Sequence, residues 1–595
     1  MKYPKLMELN TSREMIDVFR GYNHNLRIGE GEFYDMKNLC SDHYPILSPR
    51  SKRGTYATPN IPQGLVAKDA LCYVDGAEFV INEYRIPVGL SFGIGQDGYP
   101  IITPKYLISM GSYVIIMPDK KYINTADYSD YGSIEATVKT GTVGFSLCKV
   151  DGVEYDNVVS QTTAPTSPEN MDLWIDTSEV PHQLKQYSST TAMWSAIATT
   201  YIKISATGIG VPFSVGDGVT ISGVGEGTAV SEAVKKLKDQ LNASMVIQAK
   251  GDDYIVVIGI IDRNTGQMSG ITVTRQMPNM DFVIESGNRL WGCRYGVAAN
   301  GEIVNEIYAS KLGDFKNWNC FSGISTDSYA ASVGTDGKFT GAITYLGYPI
   351  FFKENCMHKV YGNYPANYQI QTTACRGVQD GCDRSLAIVN EVLYYKSRTG
   401  VCAYDGSLPV EISSALGDTR YYNAVAGELG NKYYISMGDV NENYHFFVYD
   451  TIKGMWHRED DTQATQFCNC RGDLFYIDYA DNQIKSIKGA GVPENDPVKW
   501  EAVTGIIGTD SPDKKYISRM DVRMALQLGS RVMFFVEYDS SGEWEHLFTM
   551  AGLNLRSFAV PIRPKRCDHL RLRIQGVGEA KIYSICKTIE QGSDV

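Results

Sequence analysis

From residue 281 to 505 the chain alternates short apolar runs with turn residues. The runs RLWGCRY at 289–295, AITY at 342–345, PIFF at 349–352, VLYY at 392–395, KYYI at 432–435, YHFFVY at 444–449 and LFYI at 474–477 are strand-sized. Between them lie TDG at 335–337, Gly347, SRTG at 397–400, DG at 405–406, IKG at 452–454 and DYAD at 478–481. Strands of this length joined by Gly/Asp turns point to a sandwich, a barrel or a propeller. The spacing favours the propeller. Aromatic centres recur near residues 291, 350, 394, 434 and 476, a period of roughly 40–60 residues that suits four-stranded blades. Two upstream segments, DALCYVDGAEFVI at 69–81 and KYLISMGSYVIIM at 105–117, have the same form. The expected fold is all-β dominated, a β-propeller of about six or seven blades.

The rhythm breaks over residues 133–280, which read as an inserted small α+β or β domain. TTAPTSP at 162–168 has linker composition. A helix is expected at 231–242, where Val234, Leu237 and Leu241 form one apolar stripe and Ser231 is placed to cap the N-terminus. Strands are expected at 245–248, 254–261 and 271–275. Past Pro493 the pattern shifts to alternating strands, RVMFFVEY at 531–538 and LRLRIQ at 570–575, which suit a β-sandwich-like module. The organisation that follows is an N-terminal arm (1–60), a first propeller part (61–132), the insert (133–280), a second propeller part (281–505) and a C-terminal β module (506–595).

Composition supports strands and narrows the chemistry. The chain has 39 Tyr and 57 Gly, residues that suit half-buried pleats and tight turns. Hydrophobic residues make up 43% and charged residues 21%, as in a folded rather than a disordered chain. The net charge of −12 argues against general nucleic-acid binding, which draws on Lys and Arg. The first 28 residues show no apolar signal-peptide core, and no later run is long enough to span a bilayer, so no stable membrane association is expected. Thirteen Cys, an odd number at low density, suit reduced thiols and folding in a cytoplasm.

Motifs for catalysis are absent: there is no G-x-S-x-G, H-E-x-x-H or P-loop string. Cys468 with Cys470, and Cys375 with Cys382, lack the partner pairs of a zinc site. His445 and His457 flank apolar strands and read as packed or turn residues. The Gly-rich strings at 208–210 and 223–227 read as turns. A propeller glycosidase would need two carboxylates at one mouth of the ring, for which Asp327, Asp405 and Asp450 are candidates. In DTIKGMW at 450–456, Asp450 is expected to open a turn, Gly454 to take a positive φ and Trp456 to pack between blades. RGD at 471–473 reads as a hairpin turn. The basic string RPKR at 563–566, with Arg556, Arg571 and Arg573, reads as a solvated sheet face or a partner contact. Trp174 and Trp194 are expected inside the insert, or on a glycan-binding patch. No catalytic, cofactor-binding or metal-binding residue is assigned from this reading, and the binding residues are unknown.

NEIYASKLGDFKNW at 305–318, DSY at 327–329, TGAITYLGYPIFFK at 340–353, VYGNYP at 360–365, RGV at 376–378, SL at 385–386, YY at 394–395 and GVCAYDG at 400–406 together resemble bacteriophage virion propellers. FYDMKNL at 33–39, YPILSPR at 44–50, RCD at 566–568 and GVG at 576–578 fit the same group. These are the head-stabilisation and tail-nozzle proteins of short-tailed phages. The resemblance implies a non-enzymatic virion structural protein at the tail or head–tail junction, without cofactor. It would form a homo-oligomer ring that closes or extends the DNA channel, beside portal, adaptor or other tail proteins, with transient contact to genomic DNA. The alternatives are a tail-tip or baseplate adhesin for a cell-surface glycan, and a polysaccharide-degrading propeller enzyme.

Overall fold

The computed structural model describes residues 11–95, 100–226, 230–298, 301–508, 514–551, 556–563 and 565–591. The chain is all-β, and its organising unit is the antiparallel four-stranded meander. Such meanders occupy residues 62–86, 106–133, 282–332, 341–374, 387–411 and 422–460; a last one, at 464–486, has three strands of its own. Among the described residues these seven sheets close a circle through their first strands. Pro62–Ala67 lies against Tyr106–Met110, that strand against Phe282–Ser286, and that against Gly341–Tyr345. On the other side Ala387–Val389 lies against Tyr422–Leu429, that against Ala464–Cys470, and Ala464–Cys470 returns to Pro62–Ala67. The short 3-10 turn Asp383–Ser385 joins the fourth sheet to the fifth. This is a β-propeller arrangement.

Apolar clusters between neighbouring sheets hold the circle together. Val74, Phe79 and Ile116 fill the gap between the first and second sheets, Ile115, Leu290 and Trp318 the next, and Trp291, Ile307 and Phe351 the one after. Phe446, Leu474 and Tyr476 pack between the sixth and seventh sheets, and Leu65, Phe475 and Ile484 between the seventh and the first. Each second strand lies between two partners and is buried on both faces. Val392–Lys396 and Asp473–Asp478 are buried along nearly their whole length. Such strands read as continuous apolar runs rather than as alternations.

The seventh sheet takes its outer strand, Gly54–Ala57, from the other end of the chain, paired antiparallel to Ile484–Ser486. This corrects the expected arm at 1–60, of which residues 1–10 lie outside the described residues. Thr11–Ile16 pairs along its length with the last strand, Ala580–Gln591. Gly21–Tyr22 and Glu32–Lys37 lie between Met455–Asp460 and Lys499–Thr504, fusing the sixth sheet to the C-terminal module in one ten-stranded sheet. The segment looked irregular because its strands are short and every partner except one another is hundreds of residues away.

In the C-terminal module, Val532, Phe534, Val536, Leu572 and Ile574 share one buried cluster with Met520, Val522, Met524, Ile582 and Ile585 of a second sheet. The alternation along each strand sets the inner faces. Residues 136–275 form sheets of their own around a separate cluster that includes Phe145, Ile202, Ile221, Val257 and Val273. The expected helix is two short turns, Glu232–Lys235 and Lys238–Leu241. Ser231 accepts the Val234 N–H, and Val234, Leu237 and Leu241 are buried as the stripe requires. The break falls where the Leu237 N–H bonds to the Val234 carbonyl three residues back instead of four.

Candidate active site

Where the first strands converge, a cavity of about 450 Å³ opens on the axis of the ring. It is lined by Tyr106–Ser109 of the second sheet, Phe282–Glu285 of the third, Ala342–Thr344 of the fourth, Asp383, Arg384 and Leu386 at the entry to the fifth, and Gln466 of the seventh. The walls are mainly apolar and aromatic, with a few polar groups brought in from different sheets. A ligand pocket has this composition and this order of size.

The polar groups are tied across the axis. The Tyr106 hydroxyl donates to Asp383 Oδ2 at 2.6 Å, linking the second sheet to the fifth. Arg384 donates through Nη2 to the Lys105 carbonyl and through Nη1 to the Thr465 carbonyl, both at 3.2 Å. Its guanidinium lies 4.8 Å from the centre of the Tyr106 ring, a cation–π contact. Tyr106 also meets Phe282 edge-on, with ring centres 6.5 Å apart. Burial, reinforced by Asp383, pushes the Tyr106 phenol up, so it remains a hydrogen-bond donor at any ordinary pH. Glu285 Oε1 accepts the Asn288 N–H at 2.9 Å. Gln466 pairs with the main chain of Leu65, through both its oxygen and its nitrogen at 3.0 Å, and so ties the seventh sheet to the first. Two acidic residues, Glu285 of the third sheet and Asp383 at the entry to the fifth, therefore line one cavity.

A second cavity, of about 840 Å³, lies between the sixth and seventh sheets and is lined by Asp439, Glu442, Tyr444, His445, Arg458, Asp461 and Tyr479 among others. Burial opposes ionisation of Asp439, but the Asn443 and Asn441 N–H groups outweigh it and hold the carboxyl below its ordinary range. His445 is pushed down by burial and by Arg458, against the pull of Asp439 at 3.6 Å. Arg458 is held between Asp35 and Asp461.

The sequence candidates fall elsewhere and serve local structure. Asp327 is buried and accepts the N–H groups of Ser322, Gly323 and Ile324 in its own loop. Asp405 caps the turn at Ser407. Asp450 accepts from Ser41, Ile452 and Lys453, with Gly454 at φ 65° closing the turn. Trp456 is buried and donates to the Ile412 carbonyl at 2.9 Å, bridging the fifth and sixth sheets. Arg471 and Gly472, at φ 53° and 75°, make the hairpin turn between two strands, and Asp473 is occupied by Ser486 and Lys488. All thirteen cysteines are free thiols; burial pushes Cys468 up to about 12 and Cys375 up to about 11. No group of three or more His, Cys, Asp or Glu placed to hold a metal occurs among the described residues. His457 is buried inside the sixth sheet. Trp174 and Trp194 meet edge-on at 5.4 Å within a sheet of the insert. Arg571 and Arg573 lie over Tyr34, Phe535 and Trp544; Pro564 of the basic string lies outside the described residues. Tyr106, Glu285, Asp383 and Arg384 were not singled out in the sequence. They come together only once the circle closes.

No protein-family profile and no curated protein matches the chain. Solved structures do. An exo-β-1,3-galactanase from Phanerochaete chrysosporium is 9% identical over 51% of this chain and 94% of its own, with a TM-score of 0.20. A family 43 glycoside hydrolase with endo-xylanase and exo-arabinofuranosidase activity is 9% identical over 52% and 96%, with a TM-score of 0.20. PorZ, a surface component of the type-IX secretion system of Porphyromonas gingivalis, is 10% identical over 88% and 82%, with a TM-score of 0.25. The expectation of a non-enzymatic phage tail-nozzle or head-completion component finds no support in these matches, two of which are glycoside hydrolases and none a virion protein. At such identities and TM-scores they assign no activity to this chain, and its function is argued from its own geometry.

Proposed function

We propose that the seven sheets are the blades of one propeller and that the chain hydrolyses a glycan bound in the axial cavity. The observation that carries this reading is the pair of acidic residues, Glu285 and Asp383, that line one cavity from the third sheet and the entry to the fifth. Glycoside hydrolysis needs two such groups on either side of the scissile bond, one to protonate the leaving oxygen and one to act as base or nucleophile. Tyr106 engages Oδ2 of Asp383, and this reading gives the reaction to the other oxygen. Tyr106 and Phe282 offer ring faces and edges against which the C–H groups of a sugar can pack. The Ser109 hydroxyl is a group able to pair with a sugar hydroxyl.

The test is release of reducing ends from a panel of polysaccharides and aryl glycosides, with Asp383→Asn and Glu285→Gln beside the wild type. Each substitution should lower turnover by about 10²–10⁴-fold, the usual contribution of a general acid or base, while thermal unfolding stays unchanged. Hydrolysis that survives both substitutions, or none by the wild type across the panel, would overturn the assignment.

A further inference from the structure

Arg384 is the one cation lining the axial cavity, and it makes no ion pair among the described residues. It donates to two main-chain carbonyls, of Lys105 and Thr465, and also acts on the Tyr106 hydroxyl that Asp383 accepts from. A guanidinium carries five N–H donors in a planar fork, and two main-chain bonds leave part of that fork unused. The two carbonyls come from the second and seventh sheets, on either side of the first, and the Tyr106 ring packs against the group, so the head is fixed in place before any ligand arrives. A preorganised guanidinium with unused donors is suited to a planar carboxylate, which it binds through two parallel charge-assisted hydrogen bonds. Neutral sugar hydroxyls use neither the charge nor the planar fork.

We propose that the axial cavity selects a glycan bearing a carboxylate, a uronate or another sugar acid, and that Arg384 reads that group. The inference rests on the glycan-hydrolase reading above and adds the class of sugar. It also accounts for a cation in a cavity lined by two acidic residues: Glu285 and Asp383 would repel an acidic sugar unless one fixed positive charge received it.

The decisive comparison uses the wild-type protein with oligogalacturonate and its fully methyl-esterified form, in which each carboxylate charge is replaced by a neutral methyl ester. Sialyllactose serves as a second acidic arm, and xylan and β-1,3-galactan oligosaccharides as neutral arms. Measurement at about 0.15 M salt, where the screening length is near 8 Å, keeps the protein's overall negative charge from masking a local contact. At least one free-acid arm should bind ten-fold or more tighter than the neutral ligands, and preference for oligogalacturonate over its ester identifies a uronate. Arg384→Lys keeps the charge but loses the fork, and should raise KM for the acidic substrate at least five-fold with little change in kcat. A merely structural brace would instead shift the melting temperature and affect every substrate alike. Cleavage of neutral glycans with no preference for the acid forms overturns this inference and leaves the hydrolase reading intact. Failure to bind or cleave any arm removes both.

Discussion

Replacing Phe33 by Ala tests whether the N-terminal segment is core or arm. Phe33 sits on the strand that joins the sixth sheet to the C-terminal module, is 2% exposed, and stacks on Phe19 with ring centres 6.0 Å apart. Both rings belong to the buried cluster that also holds Trp456, Trp500 and Leu572. Truncating a buried Phe to Ala costs about 3–5 kcal/mol, the lost transfer free energy plus the cavity left behind. Domain stabilities are about 5–15 kcal/mol, so the loss is a large fraction of what holds this part together. Urea unfolding followed by tryptophan fluorescence reports on the region directly, because Trp456 pairs with Tyr22 and Trp500 lies one strand beyond Phe33. The matched control is Leu26→Ala in the same segment, a side chain 91% exposed, which should move stability by no more than about 0.5 kcal/mol. A Phe33→Ala protein as stable as the Leu26→Ala protein would refute the reasoning and restore the segment as a surface arm.

Acid should destabilise the fold before its carboxylates titrate. His358 is fully buried with its ring nitrogens 2.9 Å from the hydroxyls of Thr335 and Thr372, and burial, then Lys353, pushes it down to about 4; burial, then Lys432, pushes His457 down to about 3. An unfolded imidazole takes its proton near pH 6.5, so the unfolded state binds more protons below that point. Stability present above pH 6.5 is then lost as pH falls, by up to about 1.4 kcal/mol per unit for each histidine until its folded value is reached. Melting temperature between pH 7 and 5 should fall less steeply in His358→Gln, and an unchanged slope would count against this cause. Gly576→Ala adds a Cβ 2.0 Å from Trp500 Cε2 and Cζ2 near the end of the strand Leu570–Val577. It should cost about 1–3 kcal/mol through overpacking, and an unaltered melt would show that the indole can move aside.

What the sequence made legible was chiefly one strand per blade. The runs at 349–352, 392–395, 432–435 and 474–477 all belong to second strands, buried on both faces and therefore continuously apolar. The turns before them are equally local. Leu346 and Gly347 at φ 49° and 79°, and Arg471 and Gly472, are two-residue hairpin connections whose positive φ values match the twist of the flanking strands. Other links left no such trace. The strands at 21–22 and 54–57 are too short to show a period, and what fixes them is pairing with residues near 456 and 485. The candidate site is harder still to see. Tyr106 and Asp383 are 277 positions apart, one opening a strand and the other a 3-10 turn, and neither setting marks its residue for chemistry. The acids that stood out, Asp327, Asp405 and Asp450, did so because they sit in turn strings, and turns are where an Asp is used up capping main-chain N–H groups. The acids of the candidate cavity come together only where the ring brings first strands together, and no local pattern marks that place.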